Sequence, residues 1–329
     1  MLQAHVWTGS KLQPEALTAL EGLATVSVSA VGERNDWHTE ASTADAIIVV
    51  GGNTPVTGEV MDRVGSRLRI IARTGIGVDR IDLDAATQRG IMVVNTPAGP
   101  TESTAEHAIA LLLNLCKKVM IADRFLHSGQ GFPKTNVQLL GLETVGTVLG
   151  LIGLGRIGSR VAAIANVLGM KVLAFDPFIS PERAGTLGVE LVPSLEELLP
   201  RANIVSIHSP STPETYHIIN ARTLALMPKG SYLINVARGA LVDEAALLDA
   251  LNSAHLAGAG LDVYDPEPPA ADNPLLTMPN TICTPHIASY TSAGILRMQV
   301  MACEQVASAL RGERPTNLVN VQVWGHQRT

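Results

Sequence analysis

Short runs of branched apolar residues recur along the chain, and helix-patterned stretches separate them. In the first hundred positions the runs lie at 5–7, 25–29, 46–50, 68–72 and 91–94. Each has the length and residue types of a strand. Helical spacing falls between several of them, at 14–23 and 82–89. This alternation predicts βαβ units and a parallel sheet. A long helix is expected from Thr101, an N-cap candidate, because Ala105, Ile109, Leu112, Leu113 and Cys116 follow at helical intervals. The polar, glycine-containing stretch 128–135 interrupts the pattern.

From Thr147 the alternation resumes. Strands are predicted at 147–152, 171–175, 204–208, 231–236, 257–261 and 281–283, with helices at 157–168, 195–199, 221–227 and 244–251. A last helix is expected at about 292–310, after which 315–323 reads as extended.

Composition narrows the class. The 329 residues are 46% hydrophobic and 16% charged, enough for buried cores and unlike a disordered chain. The length suits two domains. Only 3% are aromatic, which fits parallel strands covered by helices of small residues. Net charge is −6 and no basic run is interleaved with aromatics, so no nucleic-acid partner is expected. Apolar runs such as 46–50 and 108–113 are too short to span a bilayer. The start shows no charged segment leading into an apolar stretch and cleavage site, so no secretory leader is expected. Cys116, Cys283 and Cys303 form neither a metal-spaced pair nor a disulfide framework, which predicts no metal and a reducing cytoplasm.

Candidate chemistry starts at Gly153-Leu154-Gly155-Arg156-Ile157-Gly158, a G-x-G-x-x-G between an apolar strand and an amphipathic helix. Gly153 permits the turn, Gly155 lets backbone approach a pyrophosphate, and Gly158 lets the helix pack on the strand. The pyrophosphate would lie on open N–H groups at the helix N-terminus. The next strand ends at Asp176, whose carboxylate can accept from ribose hydroxyls and repel a 2′-phosphate. NAD is therefore expected rather than NADP.

Three polar residues follow later predicted strands: Arg238, Glu267 and His286. Ligands of open α/β sheets bind outside the carboxyl ends of the strands, so these side chains should meet at one crevice. Singly, each fits a surface or turn residue. Together they supply a planar fork for a carboxylate, a proton donor active near neutral pH, and a carboxylate to orient that donor. Reducing a 2-oxo acid needs that set plus a hydride donor.

Those stretches resemble the D-isomer-specific 2-hydroxyacid dehydrogenases. The resemblance covers nearly the whole chain and is densest at 72–106, 150–158 and 208–286, including Asn235-Val236-Ala237-Arg238-Gly239, Leu261-Asp262-Val263-Tyr264-Asp265-Pro266-Glu267-Pro268 and Thr284-Pro285-His286-Ile287-Ala288. It implies that Arg238 binds the substrate carboxylate and carbonyl, that His286 is the general acid/base, and that Glu267 pairs with it. It implies that Asp262 holds the nicotinamide carboxamide. Further cofactor contacts are implied for Thr104, Arg156, Ile157, His208, Ser209, Val236, Ala237, His286 and Ala288. The turn containing Gly75, Ile76 and Gly77 looks like the family's substrate loop, whose backbone N–H groups bind the carboxylate. Pro100 and Arg80 stand where the family often has Asn, and Phe132 lies near a frequent Trp; the first two bear on substrate identity. Formate enzymes of this fold place Gln beside the histidine, and Glu267 speaks against that branch. Corepressors that sense NAD share the fold, and turnover separates them from an enzyme.

The implied architecture is two Rossmann-like, doubly wound parallel α/β domains. An NAD-binding domain at 101–290 is inserted into a substrate domain built from 1–100 and 291–329. Helices near Thr101 and Ser292 would cross between them and permit closure. A homodimer packed through cofactor domains is implied, and no C-terminal regulatory domain is expected after 311–329.

Overall fold

The computed structural model of the chain describes residues 3–29, 37–51, 55–129, 132 and 139–328. Two compact units divide it: Met1–Pro100 with Ser289–Thr329, and Thr101–Ala288. Most of the 128–135 stretch falls outside the described residues.

In the first unit, β1 (Ala4–Thr8), α1 (Pro14–Leu17), β2 (Ala24–Val28), α2 (Trp37–Glu40), β3 (Ala46–Val49), α3 (Gly58–Val64), β4 (Ile70–Arg73), α4 (Leu83–Gln88) and β5 (Met92–Val94) follow in order. Every pairing is parallel, and the strand order is β2-β1-β3-β4-β5, that of a doubly wound sheet. Successive side chains of a strand face opposite ways. Val6, Ile48, Ile70 and Val94 therefore enter one core, and Trp7, Ile47, Ile71 and Val93 the other.

The second unit contains α5 (Thr101–Lys117), α6 (Val119–His127), β6 (Val148–Ile152), α7 (Arg156–Val167), β7 (Lys171–Phe175), α8 (Pro181–Thr186), β8 (Glu190–Leu191), α9 (Leu195–Leu198), β9 (Ile204–Ile207), α10 (Ala221–Leu226), β10 (Ser231–Asn235), α11 (Glu244–Asn252), β11 (Leu256–Leu261) and β12 (Thr281–Cys283). Its parallel sheet has the order β12-β11-β10-β9-β6-β7-β8. The chain runs outward in one direction from β6 and in the other from β9. Ligands of such sheets bind where that reversal opens a crevice. Finally α12 (Ser292–Leu310) returns to the first unit and covers its sheet with Ala302, Cys303, Val306 and Ala307.

Several sequence expectations change in detail. Thr101 lies inside α5 rather than capping it. The long helix breaks at Lys118, which adopts a left-handed conformation, and α6 starts anew. Helix 14–23 shortens to α1 plus a 3-10 turn at Thr18–Leu20. The short α3, α8 and β8 carry too few apolar positions to show a period. Thr57 caps α3 by accepting from the Val60 N–H, and Ser180 caps α8 from Arg183.

The ending is not extended over 315–323. One antiparallel bridge joins Leu318 to Val94, and a 3-10 turn follows at Val321–Val323. A side chain takes over where a strand would continue. Buried Asn320 accepts from the Val93 N–H (2.8 Å) and donates to the Ile91 carbonyl (2.9 Å) and Thr87 Oγ1 (3.0 Å), which satisfies the β5 edge. Among the described residues no helix is long and apolar enough to cross a membrane.

Asn320→Ala should strand the Val93 N–H and the Ile91 carbonyl in the interior, at a cost of about 2–4 kcal/mol. Urea unfolding measures this, and an unchanged midpoint would show that Asn320 does not hold the edge.

Candidate active site

The glycine loop closes on the reversal between β6 and β9. Gly153 has φ +95°, and a Cβ there would lie 2.8 Å from the His208 and Ser209 backbone. A Cβ on Gly158 would lie 2.2 Å from the Gly153 carbonyl oxygen. Both glycines are required by close packing inside the protein. Gly155 differs, since a Cβ there meets nothing within 4 Å. It is the N-cap of α7 and, as a glycine, offers no side-chain cap to the first N–H groups of that helix. A pyrophosphate fits such a cradle.

Asp176, at the end of β7, binds this loop directly. Its carboxylate accepts from the Leu154 N–H (2.7 Å) and the Phe178 N–H (2.9 Å). Each oxygen keeps a lone pair for a further donor. Across the reversal, His208 Nε2 meets Ser206 Oγ at 2.9 Å, while His208 Nδ1 and Ser209 Oγ are buried without partners among the described residues. Burial pushes the His208 imidazole down to about 4, so it is neutral at pH 7. Unpartnered buried polar atoms beside the glycine loop fit a dinucleotide. Arg156 is exposed on the first turn of α7, Ile157 packs on the core, and Thr104 is buried in α5.

Arg238, Glu267 and His286 gather at the carboxyl ends of β10, β11 and β12. Arg238 donates to the Ala237 carbonyl at 2.7 Å. Buried Asn235 shapes the turn before it, accepting from the Ala237 N–H and donating to the Arg238 carbonyl. Glu267 Oε1 lies 2.5 Å from His286 Nδ1. Burial pushes the Glu267 carboxyl up, but the His286 hydrogen bond and charge, the Tyr264 backbone and the Arg238 charge together hold it below its ordinary value. Among the described residues His286 Nε2 has no hydrogen-bond partner. The arrangement leaves one ring nitrogen fixed and the other available for proton transfer.

Neighbouring loops are locked by residues that sequence alone did not single out. Tyr264 places its hydroxyl 3.0 Å from the Thr284 carbonyl and 3.2 Å from the Leu261 carbonyl, its single proton shared between them. Glu244 accepts from the Asp265 N–H and from Asn273. Burial of Asn235 at a strand end is the one signal that would have marked it, because a buried amide needs partners. Asp262 has no solvent exposure. Its carboxylate accepts from Thr284 Oγ1 (2.6 Å), the Ile287 N–H (2.9 Å) and the Ala288 N–H (2.8 Å), so it folds the turn that carries His286. His286 itself has φ +52°, an uncommon backbone state for a residue with a Cβ. Val236 and Ala288 are buried nearby along the same strand ends.

The remaining predicted site residues belong to the first unit. Gly75 has φ +117° and exchanges hydrogen bonds with Thr96, while Asn95 donates to the Ile76 carbonyl at 2.7 Å. With those carbonyls held by Asn95 and Thr96, the planar peptides turn the Ile76 and Gly77 N–H groups the other way. Neither N–H has an acceptor among the described residues, which is the geometry of an anion-binding loop. Arg80 is exposed a few positions on.

Comparison with known proteins agrees with this anatomy. Residues 109–288 match the model of the D-isomer specific 2-hydroxyacid dehydrogenase, NAD binding domain. A D-3-phosphoglycerate dehydrogenase from Archaeoglobus fulgidus is 44% identical over 274 residues, 83% of this chain and 51% of that protein. The chain thus spans about half the length of the curated relatives it matches. Among solved structures, a Thermus thermophilus protein superposes with TM-score 0.87 at 39% identity, covering 96% of this chain and 99% of the other. A glyoxylate reductase from Paecilomyes thermophila gives TM-score 0.86 at 29% identity, covering 98% and 100%.

Gly155 and Gly158 should separate ligand binding from folding. Gly155→Ala is expected to keep the melting temperature and to weaken NADH binding, since its methyl enters only the open cradle. Gly158→Ala should lower the melting temperature, because its methyl strikes backbone. Thermal melts with NADH fluorescence titration check this; equal effects on both properties would contradict the cradle.

Proposed function

The chain belongs to the D-isomer specific 2-hydroxyacid dehydrogenase family, and from that premise we propose that it interconverts a small D-2-hydroxy acid and its 2-oxo acid. Its cofactor is NAD. The observation that carries the proposal is the pair His286 Nδ1–Glu267 Oε1 at 2.5 Å, within the field of Arg238, at strand ends beside the glycine loop.

Bound NAD supplies the hydride acceptor or donor at its nicotinamide. The protein does the rest. Arg238 grips the substrate carboxylate with its fork and orients the 2-carbon. In reduction His286 gives a proton from Nε2 to the forming alkoxide, and in oxidation it takes the hydroxyl proton. Glu267 fixes Nδ1 and stabilises the charged imidazole. The Gly155 cradle with Arg156 and Ile157 holds the pyrophosphate, and Asp176 the ribose. Asp176 also opposes a 2′-phosphate, favouring NAD over NADP. Thr104, His208, Ser209, Val236, Ala237, Asp262 and Ala288 line the cofactor. In the first unit, the N–H groups of Ile76 and Gly77, presented after Gly75, are the carboxylate-binding element.

A homodimer is supported by apolar side chains exposed on the second unit. Val119, Met120 and Leu126 lie on α6, and Phe132 (90% exposed), Leu140 and Val145 follow. The unpaired thiols, two of them buried, suit a reducing cytoplasm.

NADH oxidation with glyoxylate, hydroxypyruvate, pyruvate, phenylpyruvate, 2-oxoglutarate and phosphohydroxypyruvate tests the reaction. Turnover is expected with at least one, at higher kcat/KM with NADH than with NADPH. His286→Gln should then lose on the order of 10²–10⁴ in rate while still binding NADH. Binding of NADH without turnover in the wild type would instead favour a sensor of the nucleotide.

Glu267→Gln tests the pair by pH. Because the Glu267 carboxyl sits below its ordinary value, its negative charge is present at neutral pH and is lost only as pH falls through that lowered value. The glutamine removes the charge that favours the imidazolium. With rising pH, reduction should therefore decline at a lower pH than in the wild type. An unmoved profile would mean that Glu267 is not the partner.

A further inference from the structure

Among the described residues the Asp262 carboxylate receives its hydrogen bonds from the 284–288 turn, and one of those donors is itself held from another element. His107, on α5, places Nε2 3.0 Å from Thr284 Oγ1 and 3.6 Å from Asp262 Oδ1. Proton counting fixes the direction of this chain. Thr284 has one hydroxyl proton. Asp262 Oδ1 lies 2.6 Å from the hydroxyl, against 3.4 Å for the Leu261 carbonyl, so the proton goes to the carboxylate. The facing side of the hydroxyl is then a lone pair. His107 must meet it as a donor, which places a proton on Nε2.

The result is a one-way series: His107 Nε2–H to Thr284 O–H to the Asp262 carboxylate. That carboxylate also takes the N–H groups of Ile287 and Ala288, and the Asp262 carbonyl takes the His286 N–H at 2.8 Å. His286 is thus suspended between two ends of the same residue's bonding. If His107 stops donating, the Thr284 hydroxyl can rotate away, and Asp262 is left under-satisfied in a site without solvent. The His286 turn, already in a left-handed backbone state, is the part free to relax.

We propose that His107 and Thr284 are positioning residues for the acid/base step, fixing the orientation of His286 through Asp262. The proposal rests on the assignment of His286 as acid/base. Helix α5 thereby contributes to catalysis with a side chain that need not touch substrate.

The test pairs a spectroscopic with a kinetic measurement on the full chain. In ¹⁵N-histidine NMR, His107→Leu should shift the His286 ring signals, whereas His107→Gln, whose amide nitrogen can donate from the same place, should leave them near wild type. In kinetics, His107→Leu should lower kcat about tenfold, with substrate KM and NADH Kd changed less than about twofold. Thr284→Val should reproduce the loss, and Thr284→Ser should restore most of the rate. The double variant His107→Leu/Thr284→Val should lose no more than the worse single one, since both cut one series. Unshifted His286 signals with wild-type kcat in His107→Leu, or additive losses in the double variant, would overturn the proposal. If His107→Leu does not fold, Thr284→Val against Thr284→Ser decides by the same two readouts. A wild-type protein inactive on every 2-oxo acid would sink the assigned reaction, and the NMR comparison would still decide the series.

Discussion

A carboxylate with no solvent contact costs several kcal/mol unless donors surround it, and Asp262 meets that demand with one segment of chain. Thr284, Ile287 and Ala288 all give it hydrogen bonds, and its own carbonyl receives the His286 N–H. The turn after β12 has little freedom once those bonds form. Electrostatic satisfaction of a buried group thus sets the place of the residue assigned to proton transfer. This is how a left-handed backbone state at His286 is held: the surroundings over-determine it.

Around that anchor, the strand ends of the second unit are tied sideways. Tyr264 joins the β11 and β12 exits through two carbonyls, and Glu244 reaches from α11 to the loop leading to Glu267. A Cβ on Gly239 would lie 2.0 Å from Tyr264 carbonyl atoms, so the Arg238 turn presses on the same loop. Arg238, Glu267 and His286 come from three strands, yet their supports interlock. Such bracing is what holds reacting groups to the tolerance that catalysis requires.

The glycine loop follows a different physics. Gly153 and Gly158 are fixed by contact within the protein, while Gly155 is bounded by empty space. The same motif therefore contains both packed and open positions, and the space beyond each missing side chain distinguishes them. Asp176 connects the two roles, bonding to the loop through Leu154 while keeping acceptor capacity.

Much of this was legible in the sequence. Alternating apolar runs located all strands but the two-residue β8, because buried parallel strands are continuous apolar stretches with local boundaries. The glycine motif and Asp176 were legible for the same reason: a strand, a turn and a helix are neighbours in the chain. The polar residues at strand ends could be named, since sheet geometry dictates where such ends converge. Tertiary structure alone decided which groups support them. His107 meets Thr284 across 177 positions, and Asn320 meets Val93 across 227. Asp262, which the resemblance assigns to the cofactor, also folds the His286 turn. Hydrogen-bond satisfaction of a buried polar group depends on what packs against it, and no local pattern encodes a partner that far along the chain.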